Sequence, residues 1–275
     1  MRHPLRGRTV LVTGGGGGIG RLMALGAARR GARVVIWDLS EAAGAAARDE
    51  IRAEGGNAES FSVDVSEREA VAAAAQRTGD VDVVINDAGV VTGQRLMDAT
   101  EEGIERTFRV NALSLYWVTR AFLGGMIARH RGTVVTVASA AGMVGVARQT
   151  DYSASKFAAF GFAESLRAEM RKERTGVTSL VVCPYYIDTG MFEGVRTKCP
   201  PLLPILRPGR VAEKVLDAIE SGRGQLVMPP FVRITPLARA LPTRAFDWLV
   251  DALGINDSMD RFVGRANRAH GGRTP

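Results

Sequence analysis

The sequence predicts a doubly wound parallel α/β sheet (a Rossmann fold) in one domain, with an apolar and basic C-terminal extension. Three observations predict it. Short β-branched runs alternate with Ala-rich stretches of helical length through residue 228. A glycine cluster follows the first run, and a carboxylate ends the second. Strands alternating with helices give right-handed βαβ units, and so a parallel sheet covered on both faces.

The strands are expected at Thr9–Thr13, Arg33–Trp37, Val81–Asn86, Thr133–Ala138, Val177–Cys183 and Gln225–Met228. Each is a near-continuous apolar run, as a strand buried on both faces requires. Glu59–Val63 is a weaker strand. The helices between them are expected at Gly18–Arg30, Glu41–Glu54, Glu67–Arg77, Glu101–Ala128, Tyr152–Arg174 and Pro208–Ser221. Residues 1–228 therefore read as the dinucleotide-binding and catalytic unit, and 229–275 as the extension. Pro229, Pro230, Pro236 and Pro242 punctuate that extension, with apolar residues and Arg233, Arg239 and Arg244 interleaved. Its last dozen residues, Gly264–Pro275, are polar and Arg-rich, and are expected to fray.

Composition narrows the class. The chain has 275 residues, 46% hydrophobic and 24% charged, ordinary for a globular protein. Two cysteines, Cys183 and Cys199, make no disulfide framework. Three scattered histidines allow no zinc site of ordinary spacing, so no metal is expected. Met1–Thr9 holds basic residues but no apolar run, so no secretory signal is expected and the cytoplasm is the default compartment. The most apolar stretch, Val110–Ala128, carries Asn111 and Arg120 and reads as a buried soluble helix. The net charge of +7 is concentrated after residue 196. No basic, aromatic-interleaved motif accompanies it, so nucleic acid is not expected. Residues 229–255 suit peripheral contact with a membrane surface, or packing against the sheet or a partner subunit.

The segment Thr13–Gly20 reads TGGGGGIG. Glycines after a first strand permit a tight turn, and the following helix aims its N-terminal N–H groups at a pyrophosphate. Thr13, Gly14, Gly18, Ile19 and Gly20 are therefore cofactor candidates. Asp38 ends the second strand, where a carboxylate grips the adenosine ribose and repels a 2′-phosphate. Two unit charges 4 Å apart interact by about 4 kcal/mol at an effective dielectric of 20, which predicts NAD over NADP. The alternative for Asp38 is a helix cap. Asp64 and Val65 follow the third strand and are candidates for adenine contact.

Tyr152 and Lys156 stand four apart in a predicted helix, on one face. An ammonium beside a phenol favours its charged form, so such a tyrosine exchanges a proton with a carbonyl or alcohol while hydride moves. Lowering its pKa from 10 to 7 needs about 4 kcal/mol, within reach of a lysine plus a cationic nicotinamide ring. Ser139, at a strand end, is placed to bond the substrate oxygen. Asn111 is placed to carry a water for proton relay, unless it is simply a satisfied core amide.

Together these residues resemble the short-chain dehydrogenase/reductase family, in order over residues 8–228. The glycine spacing matches TGxxxGIG. Asn86-Asp87-Ala88-Gly89 is similar to the family's NNAG motif, with Asp87 in place of Asn. Asn111, Ser139, Tyr152 and Lys156 match its catalytic tetrad. The resemblance implies that Tyr152 is the general acid/base and that Lys156 holds the nicotinamide ribose and tunes Tyr152. It further implies that Ser139 positions the substrate oxygen and Asn111 completes a water relay. Asn86, Ala88, Gly89 and Pro184 would line the cofactor, and Thr189 would bond the carboxamide. Tyr185 stands where the family has Gly.

Gly89–Gly93, Lys156–Arg167 and Thr189–Gly194 are similar to the retinol dehydrogenase and 17β-hydroxysteroid dehydrogenase subgroup. That resemblance implies a retinol-, hydroxysteroid- or fatty-alcohol-like substrate and a homodimer or homotetramer. The residues agree: Met143, Val144 and Val146 follow Ser139, and Phe192, Val195, Leu202 and Leu203 follow the sixth strand. Both loops belong at the carboxyl ends of the strands, where ligands bind in open α/β sheets. Two rivals are an NADPH-dependent 3-oxoacyl or general carbonyl reductase and a non-catalytic NAD-binding lipid-surface protein. The first wants a basic residue near Gly17 or just after Asp38, and the second wants Tyr152 or Lys156 lost; neither condition is met.

Overall fold

The structure is a computed structural model that describes residues 4–264. Seven strands form one parallel sheet in the order β3-β2-β1-β4-β5-β6-β7. They are β1 Thr9–Thr13, β2 Arg33–Asp38, β3 Asn57–Ser62, β4 Val83–Asn86, β5 Gly132–Val137, β6 Val177–Pro184 and β7 Gln225–Met228. The order reverses between β1 and β4, and this switch point opens a crevice at the strands' carboxyl ends.

Side-chain alternation divides the core. Val10, Val12, Val34, Ile36 and Ile85 face one side, where they pack with Met23, Ile51, Leu216 and Ile219 from α1 (Gly18–Arg29), α2 (Glu41–Ala53) and α7 (Pro208–Glu220). Leu11, Val35, Trp37 and Val84 face the other side. There they meet α3 (Arg68–Thr78), α5 (Ser114–Ala128) and α6 (Thr150–Lys172) through Val71, Phe122, Leu166 and Met170. Each fully buried Val or Leu contributes about 1.5–3 kcal/mol. Trp37 is fully buried, and its indole N–H donates to Thr78 Oγ1 at 3.1 Å.

Three expectations change. The strand expected at Glu59–Val63 begins two residues earlier. It is an edge strand with only Ala58 fully buried, so its sequence carries little apolar signal. The single helix expected over Glu101–Ala128 is broken. It comprises α4 (Glu101–Phe108), a π-helical turn at Arg109–Leu113 and α5. Thirdly, the segment after β7, left open above between a membrane surface and packing on protein, folds back. It forms a 3₁₀ turn (Pro230–Ile234), α8 (Thr235–Ala238) and α9 (Thr243–Ala252). Residues 256–263 then run beside the loops after β5 and β6. Val263 N–H donates to Glu193 O at 2.8 Å, Arg196 N–H to Ser258 O at 3.2 Å and Ala147 N–H to Asn256 Oδ1 at 3.3 Å. Gly264 N–H also reaches Glu193 O, so the start of the tail expected to fray is tied down; its remainder, 265–275, lies outside the described residues. Among the described residues, no helix is long and apolar enough to cross a membrane.

Candidate active site

Two adjoining clefts open at the carboxyl ends of the strands, and Tyr152 and Ser139 stand on the wall of both. The larger, about 1550 Å³ with some open solvent, crosses the switch point. Gly14 and Gly18 have φ of +67° and +55°, values that favour glycine. A Cβ on Gly16 would lie 2.8 Å from Asp38 Oδ2, so the glycine run lets the turn sit on that carboxylate. Asp38 Oδ2 accepts from Gly16 N–H at 2.8 Å and Oδ1 from Ser40 N–H at 2.9 Å. The cap of α2 is Ser40, which accepts from Ala43 N–H, so Asp38 is not that cap.

The residues fit a dinucleotide. The N-terminus of α1 has no side-chain cap and no acid in its first turn, so its N–H groups are left for an anion. Leu39, Ser40 and Ala43 join Asp38 on the cleft wall, and none is basic. Gly14, Gly18, Ile19, Asp38, Asp64, Val65, Ala88, Gly89, Pro184 and Thr189 all line the cleft as expected. Thr13, Gly20 and Asn86 stand outside that wall. Thr13 Oγ1 accepts from Asp87 and Ala88 N–H, Gly20 packs against Gly14 O, and Asn86 donates to Thr119. They shape the wall from behind. Ser66, Val90, Arg106 and Met191 are wall residues that sequence reasoning missed.

α6 presents Tyr152 and Lys156 side by side, with Lys156 Nζ 5.7 Å from the phenol ring centroid. Lys156 Nζ donates to Val137 O at 2.8 Å. Burial lowers its pKa to about 8, against the opposing pull of Asp87 and Cys183. Burial also pushes the Tyr152 phenol above its ordinary value, only partly offset by a hydrogen bond with Ser139. The expected lowering of the tyrosine is therefore not achieved by the chain alone; desolvation outweighs the Ser139 hydrogen bond. Burial likewise pushes the Cys183 thiol up to about 12.

Asn111 lies in the π-helical turn, buried. Its Oδ1 accepts from Val90 N–H at 2.8 Å, and Nδ2 donates to Val90 O at 2.9 Å and Ser155 Oγ at 3.0 Å. The amide is thus satisfied by protein, the alternative reading given for it above. Beside it, buried Asp151 accepts from the hydroxyls of Thr92 and Thr107. These contacts clamp the loop after β4 and α4 onto the start of α6.

The second cleft, about 860 Å³ with some open solvent, is walled by apolar side chains. Val144, Val146, Phe192 and Leu203 line it as expected. Met143 does not: it is buried in a core cluster with Leu115 and Ala159. Val195 packs with Met259, and Leu202 is exposed. Much of the wall comes instead from the C-terminal segment, through Phe231, Phe246, Leu249 and Leu253. Phe192 stacks edge-on to Tyr152 at 5.7 Å and to Tyr186 at 5.0 Å. The Tyr186 hydroxyl is already engaged by Gln149 and Ser258.

A parallel sheet with a glycine turn at its switch point and a Tyr–Lys pair beside it defines a nicotinamide-dependent oxidoreductase. Residues 8–200 match the short chain dehydrogenase family, and the chain belongs to it. It is 40% identical over 274 residues to epidermal retinol dehydrogenase 2 of Mus musculus, covering 97% of this chain and 89% of that one. Retinol dehydrogenase 10 of Rattus norvegicus is 36% identical, covering 96% and 87%. Among solved structures, a short chain dehydrogenase/reductase from Burkholderia phymatum in complex with NAD superposes with a TM-score of 0.78 at 25% identity, covering 86% of this chain and 95% of that one. A metagenomic short-chain oxidoreductase in complex with NADP gives 0.69 at 31% identity, covering 79% and 93%.

Proposed function

We propose that the protein interconverts a lipophilic alcohol and its ketone or aldehyde with NAD, in the manner of a retinol or hydroxysteroid dehydrogenase. The observation that carries this reading is the apolar cleft ending at Ser139 and Tyr152, where it meets the glycine-lined cleft. Such a wall favours an apolar substrate over a sugar or hydroxy acid. The retinol dehydrogenase names of the relatives support the same class. Asp38 and its non-basic neighbours support NAD over NADP, and one aligned structure carries NAD.

When bound, the nicotinamide supplies or accepts hydride at the reacting carbon. Tyr152 gives its phenolic proton to a carbonyl oxygen, or takes one from an alcohol. The buried phenol stays protonated in the chain alone, so oxidation requires added positive charge beside it. Lys156 is the chain's own cation beside the phenol, and a bound cationic nicotinamide ring would supply the added charge. Ser139 holds the substrate oxygen next to Tyr152. Asn111 acts as a positioning residue that fixes Val90 and Ser155, which leaves only its backbone to carry a relay water.

NADH formation tests this reading, with all-trans-retinol, estradiol, a long-chain alcohol and a short secondary alcohol as substrates and NADP⁺ as control. Turnover of the lipophilic alcohols with NAD⁺ is expected. Turnover of the short alcohol alone returns the substrate to unknown.

The segment after β7 is also proposed to rest on a membrane surface. Ile234, Leu237, Leu241 and Trp248 are exposed on it, with Arg233 and Arg244 nearby. Replacing Leu237 and Trp248 by Glu is expected to weaken sedimentation with anionic liposomes; equal sedimentation of both proteins contradicts it. Self-association through α5 and α6 is supported by exposed Tyr116 and Phe157, and light scattering tests it.

A further inference from the structure

The outer wall of the apolar cleft has few ties to the rest of the molecule. Phe231, Ile234, Ala238, Phe246 and Leu249 form it. Yet no residue of α8 is buried, and α9 buries only Val250. Among the described residues, one hydrogen bond joins residues 229–253 to the body of the fold. In it, Arg239 Nη1 donates to Met143 O at 3.0 Å. The other hydrogen bonds of that stretch close within the extension itself.

The far side of this tie lies on the catalytic elements. Met143 ends the 3₁₀ turn Ala140–Gly142, which Ser139 begins. That turn rests on α6, where a Cβ on Gly142 would collide with Lys156 O. The same guanidinium sits over the Phe157 ring, 5.3 Å from its centroid, and Phe157 follows Lys156 on α6. A guanidinium that donates to a carbonyl and also meets a ring is held from two sides. Arg239 therefore binds the wall to the two elements that carry Ser139, Tyr152 and Lys156.

We propose that Arg239 is a positioning residue that latches this wall, and so sets a preference for long apolar substrates over short ones. The proposal rests on the lipophilic-alcohol reading above. Ser139, Tyr152, Tyr185 and Phe192 line both clefts, which marks the reacting end. Nothing from residues 230–255 lines the cofactor cleft. The wall held by Arg239 thus faces the part of the substrate away from the reacting carbon. A long chain lies against it, and a short alcohol held at Ser139 ends before it. Ile234 is on this wall and half-exposed, so the wall borders solvent, and the latch with its apolar contacts keeps it in place.

The test uses two variants of the full chain. Arg239→Met keeps an unbranched apolar stem but removes the donor and the charge, and Arg239→Lys restores a donor and a charge. KM is measured for 2-decanol and 2-butanol at saturating NAD⁺. Arg239→Met is expected to raise KM for 2-decanol about tenfold, the worth of one charge-assisted hydrogen bond, with kcat and the KM for 2-butanol little changed. Arg239→Lys is expected to recover most of that loss. An unchanged KM for 2-decanol, an equal rise for both alcohols, or no recovery with lysine overturns the proposal. Hydrogen exchange gives a second readout that needs no turnover. Arg239→Met is expected to speed amide exchange in α9 about tenfold and to leave α6 unchanged. Unaltered exchange in α9, or loss of protection that extends through α6, overturns the latch. Failure of the wild type to turn over any lipophilic alcohol overturns the substrate reading and the chain-length preference together, while the latch still stands or falls by the exchange.

Discussion

Replacing Lys156 by Met should make the protein more stable while abolishing its activity. Lys156 is 5% exposed, and burial lowers its pKa from 10.5 to about 8. The difference of about 2.5 units corresponds to about 3 kcal/mol. The sign follows from proton linkage. Below pH 8 both folded and unfolded chains hold the proton, and the folded state bears the full desolvation penalty. Between pH 8 and 10.5 the folded chain releases the proton first, so stability rises with pH. Above 10.5 the penalty is gone.

Met fills a similar volume without charge, but forfeits the Nζ bond to Val137 O, worth about 1 kcal/mol. The net gain at pH 7 is then about 2 kcal/mol, equivalent to about 5 °C in Tm. Urea denaturation of the cofactor-free protein at pH 7 and near pH 10.5 measures it. The gain should appear at the lower pH and turn into a small loss, under about 1 kcal/mol, at the higher, where only the lost hydrogen bond remains. A variant less stable than wild type at pH 7, or a difference independent of pH, refutes the desolvation argument.

Three further outcomes are expected. Asp38→Ala removes both the repulsive charge and the acceptor for Gly16 N–H. It should shift the NADP-to-NAD ratio of kcat/KM upward by roughly 10–1000-fold, discounted from the full charge term by partial exposure; an unchanged ratio contradicts the cofactor assignment. Asp151→Ala strips the shared acceptor from Thr92 and Thr107 and should cost about 2–4 kcal/mol in urea denaturation. Phe192→Ala removes the ring between Tyr152 and Tyr186 and should raise KM for a long-chain alcohol more than for NAD, as steady-state kinetics would show; the ring lines the apolar cleft and borders the cofactor cleft.

The sheet was legible because its strands are buried on both faces and so read as continuous β-branched runs. The edge strand β3 was displaced for the opposite reason, since only Ala58 is fully buried there. The π-helical turn at Arg109–Leu113 was invisible because its cause lies elsewhere in the chain, in the bonds from Asn111 to Val90 and Ser155. Periodicity reports a helix's own face and not the partner that adds a residue to its turn.

Gly14, Asp38, Tyr152 and Lys156 were readable as a site because local spacing carries their meaning. Met143 was misplaced because an apolar loop residue can face core or cleft, and here the core takes it. The C-terminal part of the cleft wall carried a faint signal, the apolar residues at Phe231, Phe246 and Leu249 after the last strand. Nothing local tells whether such a stretch folds over the site, meets a membrane or meets a second subunit.

The central claim is that Tyr152 exchanges the proton while hydride moves between nicotinamide and an apolar alcohol. Tyr152→Phe tests it most directly, because one oxygen is removed and the ring contact with Phe192 remains. NADH formation from a turned-over lipophilic alcohol would be measured alongside NAD affinity by titration calorimetry. The account predicts a roughly 100–10,000-fold loss of kcat with NAD binding intact. Turnover at the wild-type rate in Tyr152→Phe would contradict it.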